Sequence, residues 1–165
     1  SNRINTRIWR HCGCGSGVLA PRKTRRHLIK GTNMTTHVAL KGIRMKHISE
    51  VMNVKETIEN ISVEEAQNKL NDPNVQFIDV RDKETYEKGT IGNAINLERG
   101  LLEFYLADGS PLQASEFKEP SDKEYILLCN LGGQSVLATK TMMDMGISNV
   151  KNLVGGYTEW QKKFG

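Results

Sequence analysis

The first 49 residues contain no Asp or Glu, although they hold eleven Lys or Arg. The other 116 residues carry all nineteen acids against twelve bases, a net charge of −7. The formal charge of +4 for the whole chain therefore averages two unlike parts. An acidic body argues against a nucleic-acid enzyme, and no nucleic-acid partner is expected. Long apolar runs are also lacking. The longest aliphatic stretch, Tyr125-Ile126-Leu127-Leu128-Cys129, is strand-sized, far from the roughly 20 residues that cross a bilayer, so no membrane partner is expected either. Cysteine is scarce: three residues, two of them in the basic segment, make no disulfide framework. A reducing compartment follows as the default, and the expected location is cytoplasmic.

What is present fits one ordinary domain. The 165 residues leave little room for two, and a hydrophobic fraction of 38% with 25% charged residues suits a globular protein with a modest core. The domain is expected over 50–165, after a disordered basic tail over 1–49. Three readings of that tail stay open: a targeting peptide, since transit peptides are Arg-rich and acid-poor, which would direct the chain to an organelle; a functional basic arm; or upstream sequence, since Met34 and Met45 offer alternative starts. Within it, His11-Cys12-Gly13-Cys14 lacks a second Cys or His pair at zinc-finger spacing, and no metal site is expected.

Along the body, residues 58–61 read as a short strand. Ser62-Val63-Glu64-Glu65 reads as a capping box opening a helix to about Leu70, which Asn71-Asp72-Pro73-Asn74 stops. A strand over 75–79 precedes a short helix over 83–88, a third strand over 94–97 and a helical segment over 99–106. The stretch 125–129 is apolar without alternation, as for a parallel strand buried on both faces. A helix over 134–145 follows, then a strand over 150–153 and a terminal helix bearing Trp160. Met142, Met143 and Met145 read as helix packing. Strands alternating with helices predict an α/β fold on a mainly parallel sheet.

The chemistry is concentrated in Cys129-Asn130-Leu131-Gly132-Gly133-Gln134-Ser135. A buried strand ends in a cysteine, a glycine-bearing loop follows, and a helix begins at once. Ligands collect at the carboxyl ends of strands in open α/β sheets. A helix N-terminus offers unpaired amides, and a glycine-rich loop can curl its amides into an anion nest. A thiolate would be stabilised there and reactive. The competing reading is an inert, buried cysteine packed as a small hydrophobe.

This stretch resembles the active-site loop of the rhodanese family, Cys-Arg-x-Gly-x-Arg-Ser. Ile78-Asp79-Val80-Arg81 with Glu84-Thr85-Tyr86 resembles the family's Asp-Val-Arg segment and following helix. Gly89-Thr90-Ile91-Gly92-Asn93-Ala94-Ile95-Asn96-Leu97 is similar to its Gly-His-Ile-Pro-Gly-Ala-Ile-Asn segment. Leu153-Val154-Gly155-Gly156 with Trp160 is similar to its C-terminal Leu-x-Gly-Gly-x-x-x-Trp. The resemblance covers about residues 58–165. It implies a rhodanese-like fold, a five-stranded mainly parallel sheet with helices on both faces, and a sulfurtransferase without a cofactor. Cys129 would become a persulfide, receiving sulfur from thiosulfate or a persulfide and passing it to a thiophilic acceptor. Asn130, Leu131, Gly132, Gly133, Gln134 and Ser135 would bind the substrate. Donor and acceptor would be small molecules or proteins, and the chain a monomer or weak homodimer.

Asn130 and Gln134 stand where the family commonly has cations, so the loop lacks a charged side chain. Weak thiosulfate turnover and a preference for less charged donors are expected. Arg99 is a candidate to supply the missing cation. Arg81 reads as a structural ion-pair partner, of Glu84 or another nearby acid. Thr90 and Gly92, in place of the family's His and Pro, should affect packing more than chemistry. Two other functions compete with this one. A cysteine phosphatase or arsenate reductase would need Cys-x5-Arg, but the sixth residue after Cys129 is Ser135. A catalytically weak module for partner binding or redox sensing is the remaining alternative.

Overall fold

The structure, a computed structural model, describes residues 45–119 and 121–165. The expectations for residues 1–44, including the His11-Cys12-Gly13-Cys14 stretch, lie outside the described residues.

Five parallel strands form one sheet in the order β1-β5-β4-β2-β3. They are β1 Glu59–Ile61, β2 Val75–Asp79, β3 Ile95–Asn96, β4 Glu124–Leu128 and β5 Val150–Leu153. The helices are α1 Ile48–Met52, α2 Val63–Asn68, α3 Lys83–Glu87, α4 Leu102–Leu106, α5 Gly133–Asp144 and α6 Gly156–Phe164. Short 3₁₀ turns lie at Asn53–Thr57, Arg99–Leu101 and Ser115–Phe117. The architecture is the α/β fold expected, with β4 at the centre.

Local chemistry explains the boundaries. Ser62 Oγ accepts from Glu65 N at 3.2 Å and Glu65 Oε2 accepts from Ser62 N at 3.0 Å, the reciprocal cap expected at α2. Loss of such a cap costs about 1 kcal/mol. Asp72 Oδ1 accepts from Asn74 N and turns the chain into β2. The third strand is shorter than the expected 94–97, because Ala94 N is used by the turn to Ile91 O while only Ile95 and Asn96 pair with β2. The segment over 99–106 starts as a 3₁₀ turn and becomes helical only at Leu102.

Because strand side chains alternate between faces, β4 feeds two cores. Ile126 and Leu128 join Phe77, Ile91, Leu153 and Trp160 on one face. Tyr125, Leu127 and Cys129 join Ile78, Leu102, Ala138 and Met142 on the other. Burying each large aliphatic side chain contributes about 1.5–3 kcal/mol. Met142 is wholly buried, whereas Met145 at the end of α5 is 38% exposed, so the packing role falls on Met142, with Met143 at the edge of the cluster. Together these layers hold the carboxyl end of β4 rigidly between β2 and β5.

Candidate active site

Cys129 follows the last residue of β4 and is 3% exposed. The chain then turns through Gly132 at φ +89°, a left-handed conformation that favours glycine, and α5 begins at the next residue. The turn brings Gly132 N to 3.2 Å from Cys129 Sγ, donating to the sulfur. Ser135 Oγ, on the first turn of α5, lies 3.5 Å from the same sulfur and 2.7 Å from Asn152 Oδ1 on β5. Asn130, Leu131 and Gln134 are exposed around this point, Leu131 at 75%. Gly133 lies at the start of α5 with open space around it.

The loop is gripped from behind by α6. Tyr157 N donates to Cys129 O at 2.8 Å and Thr158 N donates to Asn130 O at 3.0 Å. In trans peptides N–H and C=O point in opposite directions, so the amides of Asn130 and Leu131 point away from α6. Gly156, at φ +58°, permits the close approach: a Cβ there would stand 2.3 Å from Cys129 O. The helix-terminal amides of α6 are thus used to orient the cysteine loop.

Beneath Asn130 lies a buried ion pair. Asp79 is fully buried and Arg81 is 4% exposed. Arg81 Nε donates to both Asp79 oxygens at 2.9 and 3.0 Å, and Nη2 donates to Asp79 Oδ2 and to Gly89 O, each at 2.6 Å. Arg81 therefore has the structural role expected of it, but with Asp79; Glu84 pairs with Lys88. The guanidinium also lies 4.4 Å from the Tyr157 ring centroid and donates from Nη1 to Asn130 Oδ1 at 3.3 Å. Thr90 Oγ1 donates to Asp79 Oδ2 at 2.8 Å, so this departure from the family pattern serves the ion pair.

Arg99 borders a depression of about 250 Å³ together with Arg81, Asp82, Glu98, Asn130 and Gln134. Its guanidinium is engaged elsewhere, donating to Glu103 at 3.3 Å and to Thr141 Oγ1 at 3.1 Å. A larger cavity, about 700 Å³, lies at the opposite end of β4, where Phe117, Lys123, Tyr125 and Ile147 form part of its wall. It is remote from the cysteine loop. Sequence reasoning brought Cys129, the loop and Arg99 to one end of the sheet. It missed Asn152, whose partner Ser135 was known but whose strand position gives no motif, and it missed the clamp by Tyr157 and Thr158.

A sequence model of the Rhodanese-like domain matches residues 62–163. The chain is 28% identical over 107 residues to the human thiosulfate:glutathione sulfurtransferase, a match covering 62% of this chain and 93% of that protein. It is 32% identical over 91 residues to an adenylyltransferase and sulfurtransferase of Candida albicans, covering 51% of this chain but only 19% of that protein. Among solved structures, a protein of unknown function from Rhodopseudomonas palustris, described as a possible tyrosine phosphatase, superposes with a TM-score of 0.68. That protein is 30% identical, and the match covers 75% of this chain and 96% of the other. The sheet order, the strand-to-helix cysteine loop and the family match over most of the described body agree, and the chain belongs to the Rhodanese-like domain family.

Proposed function

We propose that this chain is a sulfurtransferase that moves a sulfane sulfur through a persulfide on Cys129. The observation that carries the reading is the Gly132 amide donating to Cys129 Sγ at 3.2 Å from a loop clamped by α6. Such an amide is fixed before the reaction and can stabilise charge on sulfur without reorganising.

In the first displacement, the Cys129 thiolate attacks the outer sulfur of thiosulfate or of a persulfide. A new S–S bond forms to Cys129, the donor's S–S bond breaks, and its electron pair leaves with sulfite or with a thiolate. In the second, a thiophilic nucleophile attacks the outer sulfur of the persulfide and the Cys129 thiolate leaves. No metal or redox partner is required by this balance, because each step breaks one bond to the sulfane sulfur and forms another.

The side chains around the loop favour donors of low charge. Arg81 is neutralised by Asp79, Arg99 is engaged by Glu103 and Thr141, and Asn130 and Gln134 are uncharged. Forgoing one charge-assisted contact to a dianion costs about 1.5–3 kcal/mol. We therefore assign small-molecule or protein persulfides as preferred donors, with thiosulfate a weak one. The same shortage of free cations supports a second reading, a catalytically weak module for partner binding or redox sensing. A phosphatase reading lacks support, because Ser135 occupies the place where phosphatases need Arg.

The test is mass spectrometry of the full chain after incubation with thiosulfate and, separately, with glutathione persulfide. An adduct of one sulfur atom on the Cys129 peptide, removed by reductant and absent in Cys129→Ser, is the expected result. No adduct with either donor would overturn the proposal in favour of the binding module.

A further inference from the structure

A chain of amides under Cys129 has only one consistent hydrogen-bond direction. Asn60 Nδ2 lies 3.1 Å from Lys55 O and 3.2 Å from Ile58 O. Carbonyl oxygens only accept, so Asn60 keeps its NH₂ on that side and presents Oδ1 to its neighbour across the strand pair. That neighbour is Asn152, in register with Asn60 between β1 and β5. Asn152 Nδ2 donates to Asn60 Oδ1 at 2.9 Å, which turns Asn152 Oδ1 towards Ser135.

Ser135 has one hydroxyl hydrogen and two neighbours able to accept it: Asn152 Oδ1 at 2.7 Å and Cys129 Sγ at 3.5 Å. The closer carboxamide oxygen is also the better acceptor, because sulfur accepts weakly. The hydroxyl hydrogen therefore belongs to Asn152, and Ser135 offers a lone pair to Cys129. A protonated thiol can donate into that lone pair; an anionic sulfur cannot. An anionic sulfur gains a hydrogen bond from Ser135 only if the hydroxyl turns to it and leaves Asn152 Oδ1, on a residue only 1% exposed, without that donor. Leaving a buried acceptor unpaired is costly.

We propose that Asn152, oriented by Asn60, is a positioning residue that holds the Ser135 hydroxyl in the accepting role and so restrains ionisation of Cys129. The inference rests on Cys129 being the reacting thiol, but its chemistry can be read without any sulfur transfer. Titratable and charged groups on the elements around the loop include the Asp79–Arg81 pair at the end of β2, Asp82 at the start of α3, Glu98 and Arg99 after β3, Lys140 and Asp144 on α5, Lys151 on β5, and Tyr157, Glu159, Lys162 and Lys163 on α6. Changes at Asn60 and Asn152 leave all of them in place.

The experiment is the pH profile of Cys129 alkylation by iodoacetamide on the full chain, read on the Cys129 peptide because the sequence also contains Cys12 and Cys14. Asn152→Leu, which removes the competing acceptor, is expected to move the profile to lower pH and to speed alkylation near neutrality about three- to tenfold. Asn60 is exposed, so Asn60→Ala should fold normally; it frees the Asn152 amide to flip and should shift the profile the same way by less. In a Ser135→Ala background, Asn60→Ala is expected to have no further effect. Coincident profiles for Asn60→Ala and wild type, or a shift that persists without the Ser135 hydroxyl, would overturn the proposal. A shifted profile in a protein that forms no persulfide would uphold the relay while removing the sulfurtransferase reading.

Discussion

Arg81 Nη1 donates to Asn130 Oδ1 across 3.3 Å, tying the cysteine loop to a guanidinium otherwise forked onto Asp79. The arrangement makes one buried pair serve both stability and loop position. Asp79 is fully buried, so its carboxylate depends on Arg81 and on the donors Thr90 Oγ1 and Arg81 N. Arg81→Met removes the countercharge and should destabilise the fold by about 3–5 kcal/mol. Asp79→Asn combined with Arg81→Met should recover part of that loss, because no charge is then stranded. Urea denaturation followed by circular dichroism measures both; a loss below about 1 kcal/mol in Arg81→Met would contradict the role assigned to the pair.

Gly156 and Gly133 should respond very differently to alanine. At Gly156 the backbone is left-handed, and a Cβ would lie 2.3 Å from Cys129 O and 2.7 Å from Asn130 O. These are backbone atoms of the cysteine loop and cannot yield cheaply. Gly156→Ala should cost about 1–3 kcal/mol or more and loosen the clamp from Tyr157 and Thr158. At Gly133 a Cβ meets nothing within 4 Å and φ is not in the left-handed range. Gly133→Ala should leave stability within about 1 kcal/mol of wild type. Comparing urea midpoints of the two variants checks the contrast.

Glu124 links stability to acid pH. Burial pushes its carboxyl upward, but Lys69 and Lys151 outweigh that and hold it below its usual value of 4.5. Lys69 Nζ donates to Oε2 at 2.6 Å, and Lys151 Nζ stands 3.0 Å from Oε1. A carboxyl depressed in the folded state binds protons more readily when unfolded. Its contribution is therefore complete above pH 4.5 and is lost as pH falls through the lower folded value. Urea midpoints of wild type should drop over that acidic window, and the drop should be shallower in Glu124→Gln. Parallel pH dependences for the two proteins would refute the assignment.

Much of this fold was legible because local rules and tertiary needs agreed. The strand Val75–Asp79 is legible, since Asn71-Asp72-Pro73-Asn74 marks its start and its apolar residues suit a strand buried on both faces. The Ser62 cap and the Cys129 loop were legible for the same reason: each is a contiguous pattern with a direct backbone consequence. Elements that bury little of their own surface left less trace. The short helix Ile48–Met52 and the 3₁₀ turn Asn53–Thr57 bury no residue of their own. At the site, the illegible parts join residues distant in sequence: Arg81 with Asn130, and Asn60 with Asn152. Polar residues such as Asn60 and Asn152 have no periodic signal, and their partners emerge only when parallel strands bring them into register.

Gln134 offers the most direct test of donor preference. It is exposed beside Asn130 and Arg99 at the rim of the depression next to the cysteine loop. Gln134→Arg supplies a permanent cation with fork geometry where the loop has none. For dianionic thiosulfate, a gain of about 1.5–3 kcal/mol corresponds to a rise in kcat/KM of roughly ten- to hundredfold. A donor bearing less charge on its transferable end should gain less, so the ratio of the two rates reports the substituted charge itself. Added salt should erode the gain, since the new cation is screened by solvent. Arg99→Ala in the wild-type background should change thiosulfate kinetics little, because the Arg99 guanidinium is already held by Glu103 and Thr141. Steady-state assays with both donors at two ionic strengths decide the matter. Unchanged thiosulfate kinetics in Gln134→Arg would mean that backbone amides, not missing side-chain charge, limit anion binding at Cys129.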